Sequence, residues 1–486
     1  MQTPYNNMPL IQTTSEGVRS GPDRYVRAAR PNNTAKLAKL QWNALRSENW
    51  PPQRHHDGTR EAAKFLWTLF KDFKGHLIVR LWNGKVVRLG NNCGDEPALP
   101  FELHFHSEHA VRCLVLGSDP LRMADAYFRD DIDVTGDFFA VLKMADLLGE
   151  LRPSFVQRMR VFFQSLHWRR NGLGLQKDKQ LIAMIENLKK KPTPKNGNGE
   201  SIATYYSASS QFYSLWLDAD MRYACGMFQH KSDSLALAQR QKMDDICKKL
   251  LLKPGDRLLE IGCGWGTLAM HAAKYFGARV HGVTSNKEQW AWANTQIITR
   301  GLTGRVFIEL RNYKDIEGSE LYDKVCNVDL FVHIKPRNLS SYLNKVNQLL
   351  KPGGLLLQQF ITQEQESTSN SLSSGFINRY AFPPNDIVTV QHLESIAKTA
   401  RFKLKGSDEL SKHYATTLRR WVGRLEEKHA GALKFISEPN YRIWRLFMSA
   451  NAVEFESGHL QLSEILAHKS DAEDQASLMA DHHLQS

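Results

Sequence analysis

Arg257-Leu-Leu-Glu260-Ile-Gly262-Cys263-Gly264-Trp-Gly266-Thr-Leu-Ala-Met270 is the stretch that decides the fold. RLLEIG (257–262) is an apolar run with the length of a buried strand, and Leu268, Ala269, Ala272 and Ala273 follow at helical spacing. Between them stand three glycines spaced GxGxG, two residues after an acid. Such a loop folds tightly and lets a ligand approach the main chain, while the helix start offers unpaired N–H groups to a carboxylate or phosphate. A dinucleotide site would carry an acid about 20 residues on, at the tip of the second strand. Here that strand, RVHGVT (279–284), runs into Ser285-Asn286.

Working outward, further strands are expected at RVFIEL (305–310), KVCNVDLFV (324–332) and GLLLQQFI (354–361), with a helix from Leu339 to Leu350 whose Leu343, Val346 and Leu349 share a face. Alternating strands and helices build a mainly parallel sheet covered on both sides. ExGxGxG followed by LLKPGG (349–354) and another strand resembles the S-adenosylmethionine-dependent methyltransferases. That resemblance implies an α/β fold with a Rossmann-like seven-stranded sheet. Dinucleotide binding, or a loop kept only for folding, remain the alternatives.

The whole chain has 486 residues, 42% hydrophobic and 24% charged, enough for two or three domains with sizeable cores. Its net charge of +13 suits polyanionic partners, either nucleic acid or an anionic membrane surface. No run reaches about 18 apolar residues, so no membrane-spanning helix is expected, and the N-terminus carries no secretory signal pattern. Six cysteines without a CxxC pair argue against a zinc ribbon and suit reduced thiols. Residues 1–60 read as an irregular arm and 61–150 as a small α+β domain, in which HLIVRLWNGKVVRLG suggests a hairpin with a two-residue turn at Asn83-Gly84. Residues 151–200 form a basic helical connector and linker. Its arginines and aromatics suit either an inter-domain helix or an interfacial one at a lipid surface. Residues 201–465 form the donor-binding domain, and 466–486 a polar tail.

Five segments in order, TYYSASSQFYSLWLDADMRYACGMF (204–228), EIGCGWGTLAMHAAKYFGARVHGVTSNKEQ (260–289), FVHIKPRN (331–338), FINRYAFP (376–383) and HYATTLRRW (413–421), resemble the cyclopropane-fatty-acyl-phospholipid synthase family. The resemblance implies transfer of a sulfonium methyl to the double bond of an unsaturated phospholipid acyl chain, with bicarbonate removing a proton as the ring closes. It implies that Gly262, Gly264 and Gly266 line the methionine part of the donor, with Glu260 and Cys263 in the same loop. Thr284 and Gln289 then lie near ribose and adenine, and Tyr206 and Tyr223 beside the sulfonium. Cys225, His333, Gln359, Ile361 and Tyr414 are the implied catalytic positions around bicarbonate. No metal is expected. The implied setting is cytoplasmic, at the inner face of a membrane, with unsaturated phospholipid as partner, no stable nucleic acid, and room for a homodimer.

The departures from the family pattern gather at the chemistry. Val332 replaces the glutamate that orients bicarbonate, and a valine accepts no hydrogen bond. Gln359 replaces a histidine and cannot titrate; Asn312 and Asn451 replace an acid and a cysteine, and the acids of the first motif are gone. Three outcomes follow: cyclopropane formation with a rearranged base, a methyl-branched or methylene product, or an impaired, membrane-associated paralogue acting as a partner protein. A basic nucleic-acid methyltransferase is the rival from another class. It lacks support, because the fourth strand ends in Leu330-Phe331-Val332-His333 rather than the (D/N)PP(Y/F) tetrad of base-modifying enzymes.

Overall fold

The structure, a computed structural model, describes residues 58–70, 73, 76–90, 100–108, 110–111, 121–150, 208–328, 334, 336–363, 373 and 387–470. The connector expected over 151–200 lies outside them, as does the N-terminal arm up to residue 57.

The small N-terminal unit opens with helix α1 (Gly58–Leu69), three residues ahead of the expected boundary. Strands β1 (Leu77–Arg80), β2 (Val86–Leu89), β3 (Phe101–Phe105) and β4 (Ile132–Gly136) form a sheet of order β2-β1-β3-β4, flanked by α2 (Leu121–Phe128) and α3 (Phe138–Glu150). The β1–β2 hairpin forms as read, with a different turn. Leu81 N donates to Lys85 O and Gly84 N to Leu81 O, so the loop has three residues, and Gly84 takes φ 83°. A three-residue loop closes with a left-handed residue at its end, and here that is the glycine rather than the Asn-Gly pair.

The larger sheet has order β10-β11-β9-β8-β5-β6-β7. Its elements run α4 (Ser210–Trp216), α5 (Leu235–Lys249), β5 (Arg257–Ile261), α6 (Thr267–Tyr275), β6 (Arg279–Thr284), α7 (Lys287–Thr299), β7 (Val306–Leu310), β8 (Tyr322–Asn327), α8 (Leu339–Leu349), β9 (Leu350–Thr362), α9 (Val390–Thr399), β10 (Phe402–Glu409), α10 (Ser411–Glu427), α11 (Glu438–Ser457) and β11 (Gln461–Lys469). The four parallel pairings join β7, β6, β5, β8 and β9, and β11 runs antiparallel to both β9 and β10. This is the expected seven-stranded sheet, with one reversed strand that the hydrophobic pattern did not disclose. The polar tail begins later than read: Leu466 to Lys469 belong to β11 and pair with β10.

Successive residues of a strand face opposite sides. Leu355 and Leu357 of β9 therefore pack with Ile246 of α5 and Ala269 of α6, while Leu356 and Phe360 pack with Leu343 and Val346 of α8. The chain enters the sheet at β5, winds outward to β7, and crosses back to β8. The order reverses between β5 and β8, and ligands of such sheets lie at the carboxyl ends of the strands at that point.

Helix α11 seats the N-terminal unit. Buried Arg442 donates from Nη1 to Tyr127 O (3.1 Å) and Ile132 O (3.2 Å), and pairs through Nη2 with Asp130 (2.6 Å). Arg445 donates to the Tyr127 hydroxyl (3.2 Å) and lies over the Phe138 ring at 4.1 Å.

Candidate active site

The glycine loop lies at the carboxyl end of β5. Gly262, Gly264 and Gly266 all have left-handed backbones (φ 74°, 54° and 72°), yet they serve different ends. A Cβ on Gly266 would lie 2.4 Å from Ile308 Cδ1, so this glycine lets α6 pack on the sheet. A Cβ on Gly264 would meet only Gln289 Nε2, at 4.0 Å, so the space over this glycine is open. The N–H groups of Gly262 and Cys263 both donate to Val283 O (2.9 and 3.0 Å), which ties the loop to β6.

Gln289 and Thr284 reach the same space, with Thr284 Oγ1 donating to Gln289 Oε1 at 3.2 Å. Asn286 caps α7 by accepting from Glu288 N and Gln289 N, and this cap sets the direction of the Gln289 side chain. The open glycine and two polar side chains at a strand tip fit an S-adenosylmethionine-type donor. The Cys263 thiol packs under Gly282, where a Cβ would lie 2.9 Å from Sγ, and burial pushes its pKa far up, so the side chain serves packing and leaves only the main chain of this residue to face a ligand. Glu260 is buried in β5, opposite Gly282 and Cys326 in the strand register.

Beside the loop stands an aromatic box. Tyr213 of α4 meets the loop residue Trp265 edge-on (5.7 Å, 64°) and touches Trp216 and Tyr223. Tyr223 stacks on Trp421 of α10 (5.1 Å, 19°), and Trp444 of α11 closes the far side against Tyr213 and Trp216. Such ring faces attract a cation. The sequence reading named only Tyr223 here; Tyr213, Trp216, Trp265, Trp421 and Trp444 were missed as a group. The aromatic density of FYSLW (212–216) is the signal available, but Trp421 and Trp444 lie some 200 residues away.

Three expected catalytic positions come together in one apolar cluster. Cys225 is buried, with Sγ donating to Gly226 O (3.2 Å) and lying 3.9 Å from Leu410 O. Ile361 pairs with Leu462, whose carbonyl accepts from Leu410 N. Half-buried Tyr414 packs on Phe455 (4.9 Å) and edge-on to Trp421 (6.3 Å). The segment holding Cys225 is pinned to α10, since Gly226 N donates to Thr417 Oγ1 and Phe228 N to His413 Nδ1.

Gln359 stands two residues before Ile361 on the same face of β9, with its Nε2 donating to Glu464 (2.6 Å). Tyr206 and His333, with Val332, lie outside the described residues. Asn451 spends its amide on Phe447 O (2.8 Å), so it stands as a self-satisfied helix residue. Asn312 caps a turn by accepting from Lys314 N. Among the described residues no cluster of His, Cys, Asp and Glu could hold a metal, and no helix is long and apolar enough to cross a membrane.

Comparison with known proteins agrees with this geometry. The family model described as mycolic acid cyclopropane synthetase matches residues 193–465, more than half the chain. A protein named probable fatty acid methyltransferase from Pseudomonas putida is 36% identical over 277 residues, covering 57% of this chain and 70% of its own. The cyclopropane-fatty-acyl-phospholipid synthase of Escherichia coli is 30% identical over 262 residues, covering 54% of this chain and 66% of its own. The chain thus spans about two thirds of the length of these relatives. Among solved structures, the cyclopropane synthase MmaA2 from Mycobacterium tuberculosis superposes with TM-score 0.51 at 25% identity, covering 55% of this chain and 95% of that one. The mycolic acid cyclopropane synthase CmaA1 complexed with SAH and CTAB gives 0.52 at 24% identity, covering 55% and 97%, and so shares the fold.

Proposed function

Since the chain belongs to the mycolic acid cyclopropane synthetase family and is an S-adenosylmethionine-dependent lipid methyltransferase, we propose that it alkylates the double bond of unsaturated phospholipid acyl chains at a membrane surface. The observation that carries this reading is the aromatic box between the donor loop and the apolar cluster of Cys225, Ile361 and Tyr414. A nitrogen or oxygen nucleophile would want a polar partner to orient it. An alkene wants apolar walls, and the positive charge it acquires wants ring faces.

S-adenosylmethionine, held over Gly264 by Thr284 and Gln289, would supply the methyl for a C–C bond to one alkene carbon and leave as S-adenosylhomocysteine, with positive charge on the other carbon. The Tyr223 ring, backed by Trp421, would then stabilise that charge and help exclude water that would add to it. Cys225, Gln359, Ile361 and Tyr414 line the place for a small base, bicarbonate in this reading, that takes the proton as a ring closes. Gln359 in place of a titrating histidine supports a second product: a methylene chain or a methyl-branched alkene, made when the cation loses a proton from a neighbouring carbon instead of closing the ring.

The net charge of +13 supports residence at an anionic surface, where basic groups raise the time spent near the substrate. Purified protein incubated with isotope-labelled donor and vesicles of unsaturated phospholipid, followed by mass analysis of the acyl chains, tests the proposal. A gain of one CH2 supports alkylation, and ozonolysis then separates a cyclopropane, which resists it, from a methylene or methyl-branched alkene, which is cleaved. No gain from a protein that binds S-adenosylhomocysteine leaves an impaired partner protein instead, and label in an oligonucleotide would favour the nucleic-acid rival.

A further inference from the structure

Glu464 of β11 lies directly across from Gln359 of β9 in the antiparallel register. Its carboxylate, 1% exposed, accepts from Lys242 Nζ (2.5 Å) and Gln359 Nε2 (2.6 Å) on one oxygen and from Lys249 Nζ (2.6 Å) on the other. Lys242 of α5 is equally buried, at 2%. Lys249 is held on its outer side by Asp245 (2.8 Å) and Asp408 (2.6 Å). Burying a charged pair rarely favours folding over well-packed apolar side chains of the same size. The core beside it is made of apolar side chains such as Ile246, Leu355 and Leu357, so packing does not explain the cluster.

The cluster does fix one thing that packing could not. Burial raises the Glu464 pKa, but Lys242 and Lys249 outweigh it and hold the group below its ordinary range, so it is ionised at neutral pH. An ionised carboxylate only accepts hydrogen bonds, so the Gln359 amide must present its NH2 to Glu464. The amide oxygen then points the other way. That Oε1 is buried and has no hydrogen-bond partner among the described residues, a costly state unless a donor arrives. It sits on the face of β9 that carries Ile361, which packs in the cluster of Cys225 and Tyr414.

We propose that Glu464, clamped by Lys242 and Lys249, is a positioning residue that fixes the Gln359 amide so that its oxygen accepts the hydroxyl hydrogen of bicarbonate in the site. Resting on the reading above, the inference explains how a residue that cannot titrate holds the base. Bicarbonate has one O–H to donate, and the preset oxygen orients it while leaving its anionic oxygens free to take a proton. Glu464 touches neither substrate nor base. It acts through Gln359.

The experiment is titration of 13C-bicarbonate into the full chain with S-adenosylhomocysteine bound, read by NMR line broadening, with calorimetric affinity for S-adenosylhomocysteine as the check on folding. The double variant Lys242→Met/Glu464→Leu removes the pair and leaves Lys249 its two aspartates. It should weaken bicarbonate binding about tenfold, the worth of one hydrogen bond to a charged group. Gln359→Leu should do the same, and combining the three changes should cost no more than either, because they remove one interaction. Lys242→Met/Glu464→Gln keeps a side-chain carbonyl for the Gln359 amide and should retain binding, whereas a merely structural role would make the two double variants alike.

Unchanged bicarbonate affinity in Gln359→Leu or Lys242→Met/Glu464→Leu, or no bicarbonate binding by the unaltered chain, overturns the inference. If a double variant fails to fold, Gln359→Leu decides alone. Acyl-chain mass analysis on the same preparations separates the two readings. Methyl transfer without bicarbonate binding sinks this inference only. Gln359-dependent bicarbonate binding without methyl transfer sinks the proposed reaction only.

Discussion

Tyr223 lies flat against Trp421, ring centroids 5.1 Å apart and planes within 19°, joining the segment ahead of α5 to the middle of α10. In the proposed reaction this stack, beside a loop suited to a sulfonium donor, would lie against the developing positive charge. Trp421 is fully buried and holds the stack, while Tyr223 is the half-buried partner.

Replacing the two rings should therefore separate function from stability. Tyr223→Leu should leave S-adenosylhomocysteine affinity intact and slow methyl transfer about tenfold, the scale of a desolvated cation–π contact. Trp421→Ala should cost about 3–5 kcal/mol of stability, as for other buried tryptophans. Urea denaturation and single-turnover transfer measure the two effects.

The loop glycines should divide in the same way. Gly266→Ala forces a methyl to within 2.4 Å of Ile308 Cδ1 and should lower the denaturation midpoint more than Gly264→Ala, which meets only Gln289 at 4.0 Å. Gly264→Asp puts a carboxylate in the open space and should abolish S-adenosylhomocysteine binding by calorimetry while circular dichroism stays native.

Arg442 ties the N-terminal unit to α11. Arg442→Ala strands two buried carbonyl acceptors, Tyr127 O and Ile132 O, and should destabilise by about 2–4 kcal/mol. Limited proteolysis should then cut between the N-terminal unit and the larger sheet faster than in the unaltered chain.

The Asp130–His106 pair gives a pH signature. The Asp130 hydrogen bond outweighs burial and raises the His106 pKa; His106 and Arg442 together outweigh burial and lower that of Asp130. A raised imidazole stabilises fully below its ordinary value and loses that contribution as pH rises through the shifted one; a depressed carboxyl stabilises above its ordinary range and loses it as pH falls. Thermal midpoints should thus sag on both sides of mildly acidic pH. Asp130→Asn should flatten the profile, and an unflattened one would show that the pair contributes nothing. Both groups are partly exposed, so the effect should shrink with added salt.

Much of the donor site was legible in the chain because its residues are neighbours in sequence. Glu260 to Gly266, Thr284 and Gln289 lie within 30 residues, and local rules of glycine spacing, strand length and capping decide what they form. The aromatic box was not legible, since Trp421 and Trp444 meet Tyr213 and Trp216 from more than 200 residues away, and Trp265 from about 50. Strand β11 hid for the same reason. Ser463, Glu464 and His468 make it look like solvent-facing chain, and only Lys242, Lys249 and Gln359, folded in from α5 and β9, make a carboxylate tolerable there.

By itself the sequence determined that a parallel sheet winds outward from RLLEIG and that an open glycine loop stands at its tip. Those are consequences of side-chain periodicity and backbone freedom, which act over a few residues. Tertiary structure alone decided which glycine leaves open space above it and which one packs, that the Cys263 thiol turns into the core, and which way the Gln359 amide points. Each of these depends on what lies across a contact, and the identity of a residue does not specify its neighbour until the chain has folded.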